Sequence, residues 1–162
     1  GNGMPSSWQA WESYVADVVN YFSAKGVTHF EIWNEPNCCD FWIGQESTLD
    51  NYVTLFAKGI KTIENTNPSA TTVGPSTSAF AGQIDGQLIT GPLFDALDAE
   101  GATLDIYSYH MYNHEYVSTN NYIQAEKDLL ARYPNMEFWV SEVNDAQIPK
   151  YADERNAAWF GR

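Results

Sequence analysis

Two glutamates in this sequence stand in settings that suit paired carboxylate chemistry. Glu35 follows the run His29 to Asn34 (HFEIWN), and Glu142 follows Glu137 to Ser141 (EFWVS). Both runs are short and rich in aromatic or β-branched residues, as strands are, so each carboxylate leaves the C-terminal end of a strand. A third polar group, Ser108-Tyr109-His110-Met111-Tyr112, closes another such run. In barrels and open α/β sheets the C-terminal strand ends form the functional face, which predicts that Glu35 and Glu142 point into one cleft. Two facing carboxylates can divide the work of cleaving a glycosidic bond. One, protonated, donates to the leaving oxygen; the other, ionised, attacks the anomeric carbon or activates water. Trp33, Phe41 and Trp42 around Glu35 offer an apolar wall and faces for sugar stacking, while Tyr112, His110 and Asn144 near Glu142 offer hydrogen bonds. For Trp33 and Trp42 core packing fits as well as stacking.

The elements that must position these residues alternate between helix and strand. Ser6 or Ser7 caps a first helix, in which Trp8, Trp11, Val15, Val18, Val19 and Phe22 recur at helical spacing before Gly26. A second helix starts near Ser47, with Asp50 three residues on. It carries Leu49, Tyr52, Val53, Phe56, Ile60 and Ile63 and ends before Pro68. The β-branched run Thr71 to Val73 is closed by Gly74-Pro75, and a third helix begins at Pro92 and ends at Gly101. A strand from about Leu104 to His110 follows. Then come a helix over Tyr122 to Leu130 that stops before Pro134, the strand Glu137 to Ser141, and a last helical segment from about Ala152 to Phe160. On the strand that ends at His110, Tyr107 and Tyr109 have the opposite parity to His110 and Tyr112 and face the helix layer.

This order predicts βαβ units and a parallel sheet of about four strands, ending near Asn34, Gly74, His110 and Ser141. The even spacing of those ends suits a TIM-type (β/α) barrel. A full barrel needs about 250 residues, so the 162 residues form a single domain, residues 1–162, of α/β class amounting to about half a barrel.

Composition narrows the partners. A formal charge of −13 opposes binding to a nucleic-acid backbone or an anionic membrane surface. No apolar run approaches the ~20 residues of a membrane span, and no basic segment followed by an apolar stretch opens the chain, the expectation being that a signal peptide is absent or removed. No glycine-rich phosphate loop follows a strand, so a nucleotide cofactor has no support. Cys38 and Cys39 are adjacent and read as reduced thiols beside a loop, since neighbours bridge only through a strained ring. His110, His114 and Glu115 offer metal-ligand types, but they leave a strand rather than share a helical face, and no metal is expected.

Phe30-Glu31-Ile32-Trp33-Asn34-Glu35-Pro36-Asn37 followed by Phe41-Trp42 resembles the acid/base motif of clan A retaining glycoside hydrolases, most of all family 39, the β-xylosidases and α-L-iduronidases. Val73-Gly74-Pro75, Asp105 to Tyr112 and Phe138-Trp139-Val140-Ser141-Glu142 resemble later strands of that family's barrel, the last ending in the nucleophile. The resemblance implies Glu35 as general acid/base, Glu142 as nucleophile, Asn34 on the sugar 2-hydroxyl, and Tyr112 or His110 orienting Glu142. It also implies a carbohydrate substrate, no metal or other cofactor, and action outside the cytoplasm. Strands one to three and eight of the family barrel have no counterpart here. Four strands alone would leave two exposed edges, so the expectation is a homo-oligomer, a second chain completing the barrel, or a piece of a longer enzyme. Half a barrel could also serve only to bind carbohydrate or to assemble, and a clan A endo-glycanase with another sugar preference would keep the same two glutamates.

Overall fold

The computed structural model describes residues 3–38, 40–80, 82–111 and 127–143. Along the chain run α1 (Trp8–Ser23), β1 (His29–Glu31), α2 (Leu49–Thr66), β2 (Thr71–Thr77), β3 (Gln83–Ile84), β4 (Gln87–Leu88), α3 (Thr90–Glu100), β5 (Ile106–Met111) and β6 (Glu137–Val143). Residues 127–132 are helical as well. Among the described residues the main sheet has four strands in the order β1-β2-β5-β6, and every pairing between them is parallel. None of the described helices is long and apolar enough to cross a membrane.

Helix α2 is the centre of the core because its apolar stripe is complete. Leu49, Tyr52, Val53, Phe56, Ile60 and Ile63 are all 7% exposed or less. Their spacing sets one face of the helix on the sheet. Its cap is Thr48, whose side chain accepts from the Asn51 N–H, one residue beyond the Ser47 expected from the box-like pattern. Ser7 caps α1 by accepting from Ala10 N–H. On α1 only Val15 and Val19 are buried, and Phe22 remains 43% exposed. Lys58 of α2 ties the helix layer together by reaching Glu12 at 3.6 Å and Glu100 at 3.1 Å.

Several boundaries differ from the sequence reading, β1 among them, which ends at Glu31 rather than near Asn34. Strand β2 does not close at Gly74-Pro75 but continues to Thr77. Where Pro75 stands, β1 has already ended at Glu31, so that flank holds no ladder for the missing N–H to break. Helix α3 starts at Thr90, which puts Pro92 inside its first turn, where no N–H is required, and Gly101 closes it in the left-handed conformation at φ 61. Strand β6 runs on to Val143. The β3–β4 hairpin lies in a stretch to which the sequence reading assigns no element. Its turn, Asp85-Gly86, has φ 53 and 75 at successive residues, the positive values that a two-residue turn of type I′ demands. The segment 152–160 and most of the helix expected over 122–130 lie outside the described residues.

The sheet is strongly curled. His29 on β1 and Trp139 on β6 stack at 5.4 Å between ring centroids with 20° between planes. Their strands are separated by two others, which would set them about 14 Å apart in a flat sheet. Paired residues in a parallel sheet share a face, and the registers His29↔Thr71, Val73↔Ile106 and Ser108↔Trp139 put these side chains on one concave side. Tyr107 points the other way, stacked on Phe94 of α3 at 6.3 Å, as strand alternation predicts.

Gly74 marks the tightest contact between the layers. It has φ 152, and a Cβ there would run into the ring of Phe56 on α2. Gly74→Ala is therefore expected to lower the unfolding free energy by about 2–4 kcal/mol, from overpacking and backbone strain together. A urea titration comparing midpoints at equal slope checks this; an unchanged midpoint would mean that α2 and β2 can separate at no cost.

Candidate active site

The site is built by irregularities at the C-terminal ends of three neighbouring strands. Alternation along β6 from Trp139 would turn Ser141, not Glu142, to the concave face. The β5–β6 register shifts between Tyr109 and His110, so that Tyr109 pairs with Val140 and His110 with Glu142. Ser141 is thus the extra residue of a bulge, and the bulge brings the Glu142 carboxylate beside His110. The β2–β5 register shifts in the same way, with Pro75 opposite Ser108 and Thr77 opposite Tyr109. Ser76 is left over there, in the left-handed region at φ 54.

That second bulge joins the other half of the site. The Ser76 carbonyl accepts from the Glu35 N–H at 2.8 Å, and the Ser76 N–H donates to Ser108 Oγ at 3.1 Å. The Ser76 hydroxyl lies 3.0 Å from His110 Nε2. Tyr52 of α2 donates to the carbonyl of Pro75, 3.3 Å away. Burial pushes the Tyr52 phenol well above its ordinary range, which keeps the hydroxyl a donor. On the far side, Asn37 clamps the loop after β1 to the end of β2, accepting from Ser78 N–H at 2.9 Å and donating to Ser78 Oγ at 2.8 Å.

His110 sits between the two glutamates. Its Nδ1 is 2.7 Å from Glu35 Oε1 and 3.6 Å from Glu142 Oε2, and its side chain is 1% exposed against 15% for Glu35 and 44% for Glu142. The three contacting groups all lie within 4.8 Å of one another. Glu35 and Trp33 both hold positive φ, 43 and 70, conformations that non-glycine residues adopt at a cost and that cluster where function requires a fixed side chain. The same three residues present donor atoms of metal-ligand type, a set different from His110, His114 and Glu115; the last two lie outside the described residues. A 2.7 Å contact is a hydrogen bond, however. Two ligands held 2.0–2.1 Å from one zinc in a tetrahedron stand roughly 3.3 Å apart, so His110 and Glu35 would have to separate to take one.

The aromatic residues expected around Glu35 divide. Trp42 is 7% exposed, packed edge-on against Trp33 at 5.4 Å and against Tyr52 at 5.7 Å, with its indole N–H on the Thr48 carbonyl at 3.1 Å. It is a core residue, and the expectation that it stacks on a sugar is corrected. A Trp packed against two other aromatic rings gains more from burial than from standing in a cleft. Trp33 is half-buried, leans edge-on toward Trp11 of α1 at 6.3 Å, and donates its indole N–H to the Phe41 carbonyl at 3.0 Å, so its described contacts are with α1 and with the loop that carries Phe41 and Trp42. Phe41 is 41% exposed and Asn34 is exposed next to Glu35. Tyr112 and Asn144 lie outside the described residues. Sequence reasoning missed Ser76 and Asn37 as positioning residues. Gly74-Pro75 was a signal of an irregular strand just before Ser76, but read as a stop it hid the bulge.

The family model described as Glycosyl hydrolases family 39 matches residues 4–162. A curated β-xylosidase of Geobacillus stearothermophilus is 22% identical over 169 aligned residues, covering 96% of this chain and 32% of that protein. Among solved structures, a GH39 β-xylosidase from Caulobacter crescentus superposes with a TM-score of 0.70 at 20% identity, over 93% of this chain and 33% of that one. A glucosidase from Croceicoccus marinus gives 0.74 at 16% identity, over 98% and 35%. The chain thus spans about a third of the length of these relatives, and its curled parallel sheet is part of a TIM-type (β/α) barrel.

The split among the aromatics can be measured. Trp42→Ala is expected to cost roughly 3–5 kcal/mol of stability as a buried large-to-small change, while exposed Phe41→Ala stays within about 0.5 kcal/mol. Thermal and denaturant unfolding of both variants checks this, and a Trp42→Ala protein as stable as the native one would return that ring to the cleft.

Proposed function

This chain belongs to glycosyl hydrolases family 39, and on that premise we propose that it hydrolyses a β-linked, xyloside-like glycoside with retention of configuration, using Glu35 as acid/base and Glu142 as nucleophile. The observation that carries the reading is the approach of the two carboxylates, whose contacting atoms lie within 4.8 Å of each other around His110. Retaining enzymes hold their carboxyl groups about 5–5.5 Å apart, whereas inverting enzymes need about 6.5–9.5 Å to admit a water molecule.

In the first step Glu142 attacks the anomeric carbon while Glu35 gives its proton to the departing glycosidic oxygen, forming a glycosyl ester on Glu142. In the second, ionised Glu35 takes a proton from water as the water oxygen attacks the same carbon, and Glu142 leaves as carboxylate with Glu35 protonated again. The difference in exposure between the two side chains suits this division: half-open Glu142 can meet a sugar ring, and more enclosed Glu35 is held from behind by His110. Asn34, exposed beside Glu35, would reach the 2-hydroxyl. The xyloside preference rests on the β-xylosidases that the chain resembles; the glucosidase likeness makes a β-glucoside the competing substrate.

A second reading has its own observation. On β6, the outer strand of the sheet, Trp139 and Val140 are each 40% exposed, an uncovered apolar surface of the kind that calls for a neighbour. The cleft would then be completed by a second copy or another chain, and a chain without that neighbour would bind sugar without cleaving it.

The test is a panel of aryl β-xyloside, β-glucoside, β-mannoside and α-arabinoside substrates. Turnover of the β-xyloside is expected, falling to the blank in Glu142→Gln. In Glu35→Gln it should fall about 10²–10⁴-fold for leaving groups that need protonation. Proton NMR of the first-formed sugar should show the β-anomer; the α-anomer would overturn the double displacement. Silence of a well-folded native chain across the panel would favour the second reading.

A further inference from the structure

We propose that Ser76 is a positioning residue for Glu35, acting through His110: its hydroxyl holds the imidazole so that Nδ1–H rests on one oxygen of the Glu35 carboxyl and leaves the other oxygen to carry the transferable proton. The functional consequence rests on the acid/base reading of Glu35, but the arrangement itself follows from the hydrogen bonds. A neutral imidazole has one N–H and one lone pair. Nδ1 faces Glu35 Oε1 at 2.7 Å, with Glu142 Oε2 next at 3.6 Å. The Glu35 oxygen accepts there, and the carboxylate of Glu142, too far to accept, attracts the same proton electrostatically, which draws the ring proton to Nδ1. Nε2 then needs a donor, and at 1% side-chain exposure water has little access to it. The Ser76 hydroxyl, 3.0 Å away, meets that need, and a buried nitrogen left without a partner would cost about 1–3 kcal/mol.

The position of Ser76 is itself fixed. Its N–H donates to Ser108 Oγ and its carbonyl accepts from the Glu35 N–H, so one bulged residue sets both the backbone of Glu35 and the ring that its side chain touches. With Oε1 occupied by Nδ1–H, the proton that Glu35 delivers sits on its other oxygen. When that proton leaves, the ring N–H already faces the carboxylate that remains, an interaction stronger in the later state than in the earlier one.

The test reads the ring directly and needs no turnover. Long-range proton–nitrogen NMR of the ¹⁵N-labelled full chain, at a pH where the ring is neutral, should show His110 protonated at Nδ1 and bare at Nε2. The Nδ1–H proton should be strongly downfield, with the signals assigned by their absence in His110→Gln. Removing the hydroxyl in Ser76→Ala should make that proton exchange with water about fivefold faster or more, the factor that corresponds to losing one hydrogen bond, while the backbone amides keep their positions. Ser76→Gly, which takes φ 54 without strain, should behave the same way and keeps the test standing if the alanine variant does not fold. A native ring protonated at Nε2 alone, or an Nδ1–H exchange rate unchanged in Ser76→Gly, would overturn the proposal. Absence of glycosidase activity would count against the acid/base reading and leave the ring measurement to decide this one.

Discussion

A buried imidazole imposes two demands at once, because each ring nitrogen must meet a partner and the ring is planar. His110 meets them with Glu35 on one side and Ser76 on the other, and these two residues come from the ends of different neighbouring strands. Their separation is therefore set by strand spacing and by where each strand departs from regular pairing. Regular strands would not place them. Ser76 reaches the ring because β2 carries an extra residue, and Glu142 reaches the same ring because β6 carries another. Each bulge changes which side chain faces the concave side beyond it, so two local irregularities turn three ordinary strand ends into one cluster.

The support beneath this cluster is aromatic. Glu35 and Trp33 both hold left-handed backbone conformations, and such residues persist only where the surroundings over-determine them. Here Trp33 is held by Trp11, by Trp42 and by the Phe41 carbonyl, and Trp42 in turn by Tyr52 and the Thr48 carbonyl. Tyr52 closes the path, since its hydroxyl donates to the Pro75 carbonyl, next to Ser76. The cap of α2, the aromatic stack and the β2 bulge are thus one connected structure, with the loop that carries Glu35 between them. Aromatic residues that could have served the substrate serve instead to fix the backbone of the residue proposed to act on it.

Much of this could be read from the residues. The apolar stripe of α2 was legible in full because every one of its positions is buried and the 3.6-residue period is unbroken; α1 was less so, because Phe22 follows the same period and stays exposed. The order of strands and helices, and the exit of Glu35 and Glu142 at strand ends, followed from alternation and from the turn residues. The bulges were not legible. Period-two patterning assumes an unbroken register, and neither Ser76 nor Ser141 differs in type from a serine at any strand end. Gly74-Pro75 signalled irregularity but was read as termination, because a proline in a strand usually marks an edge or an end; only the end of β1 at Glu31 shows why it is tolerated inside β2. Asp85-Gly86 is the reverse case, a strong hairpin signal flanked by strands of two residues each, too short for alternation to register.

The curl of the sheet bears on function as much as the cluster does. His29 and Trp139 stack across the concave face although their strands lie at opposite sides of the sheet, so that face is closed toward the start of the strands and opens toward their ends, where Glu35, His110 and Glu142 stand. A parallel sheet normally has both faces covered. Here helices pack on one face, while on the other Trp139 and His29 remain exposed to solvent. In a closed barrel that interior is filled by layers of side chains from all the strands; the Trp139–His29 stack fills it in part with the residues at hand. The hydrogen bonds described around His110 run between β2, β5 and the loop after β1. A barrel interior, in contrast, is closed by side chains from all its strands. Placement of the carboxylates and enclosure of the substrate are therefore separable properties in this fold: the first depends on bulges between adjacent strands, and the second on the circumference of the barrel.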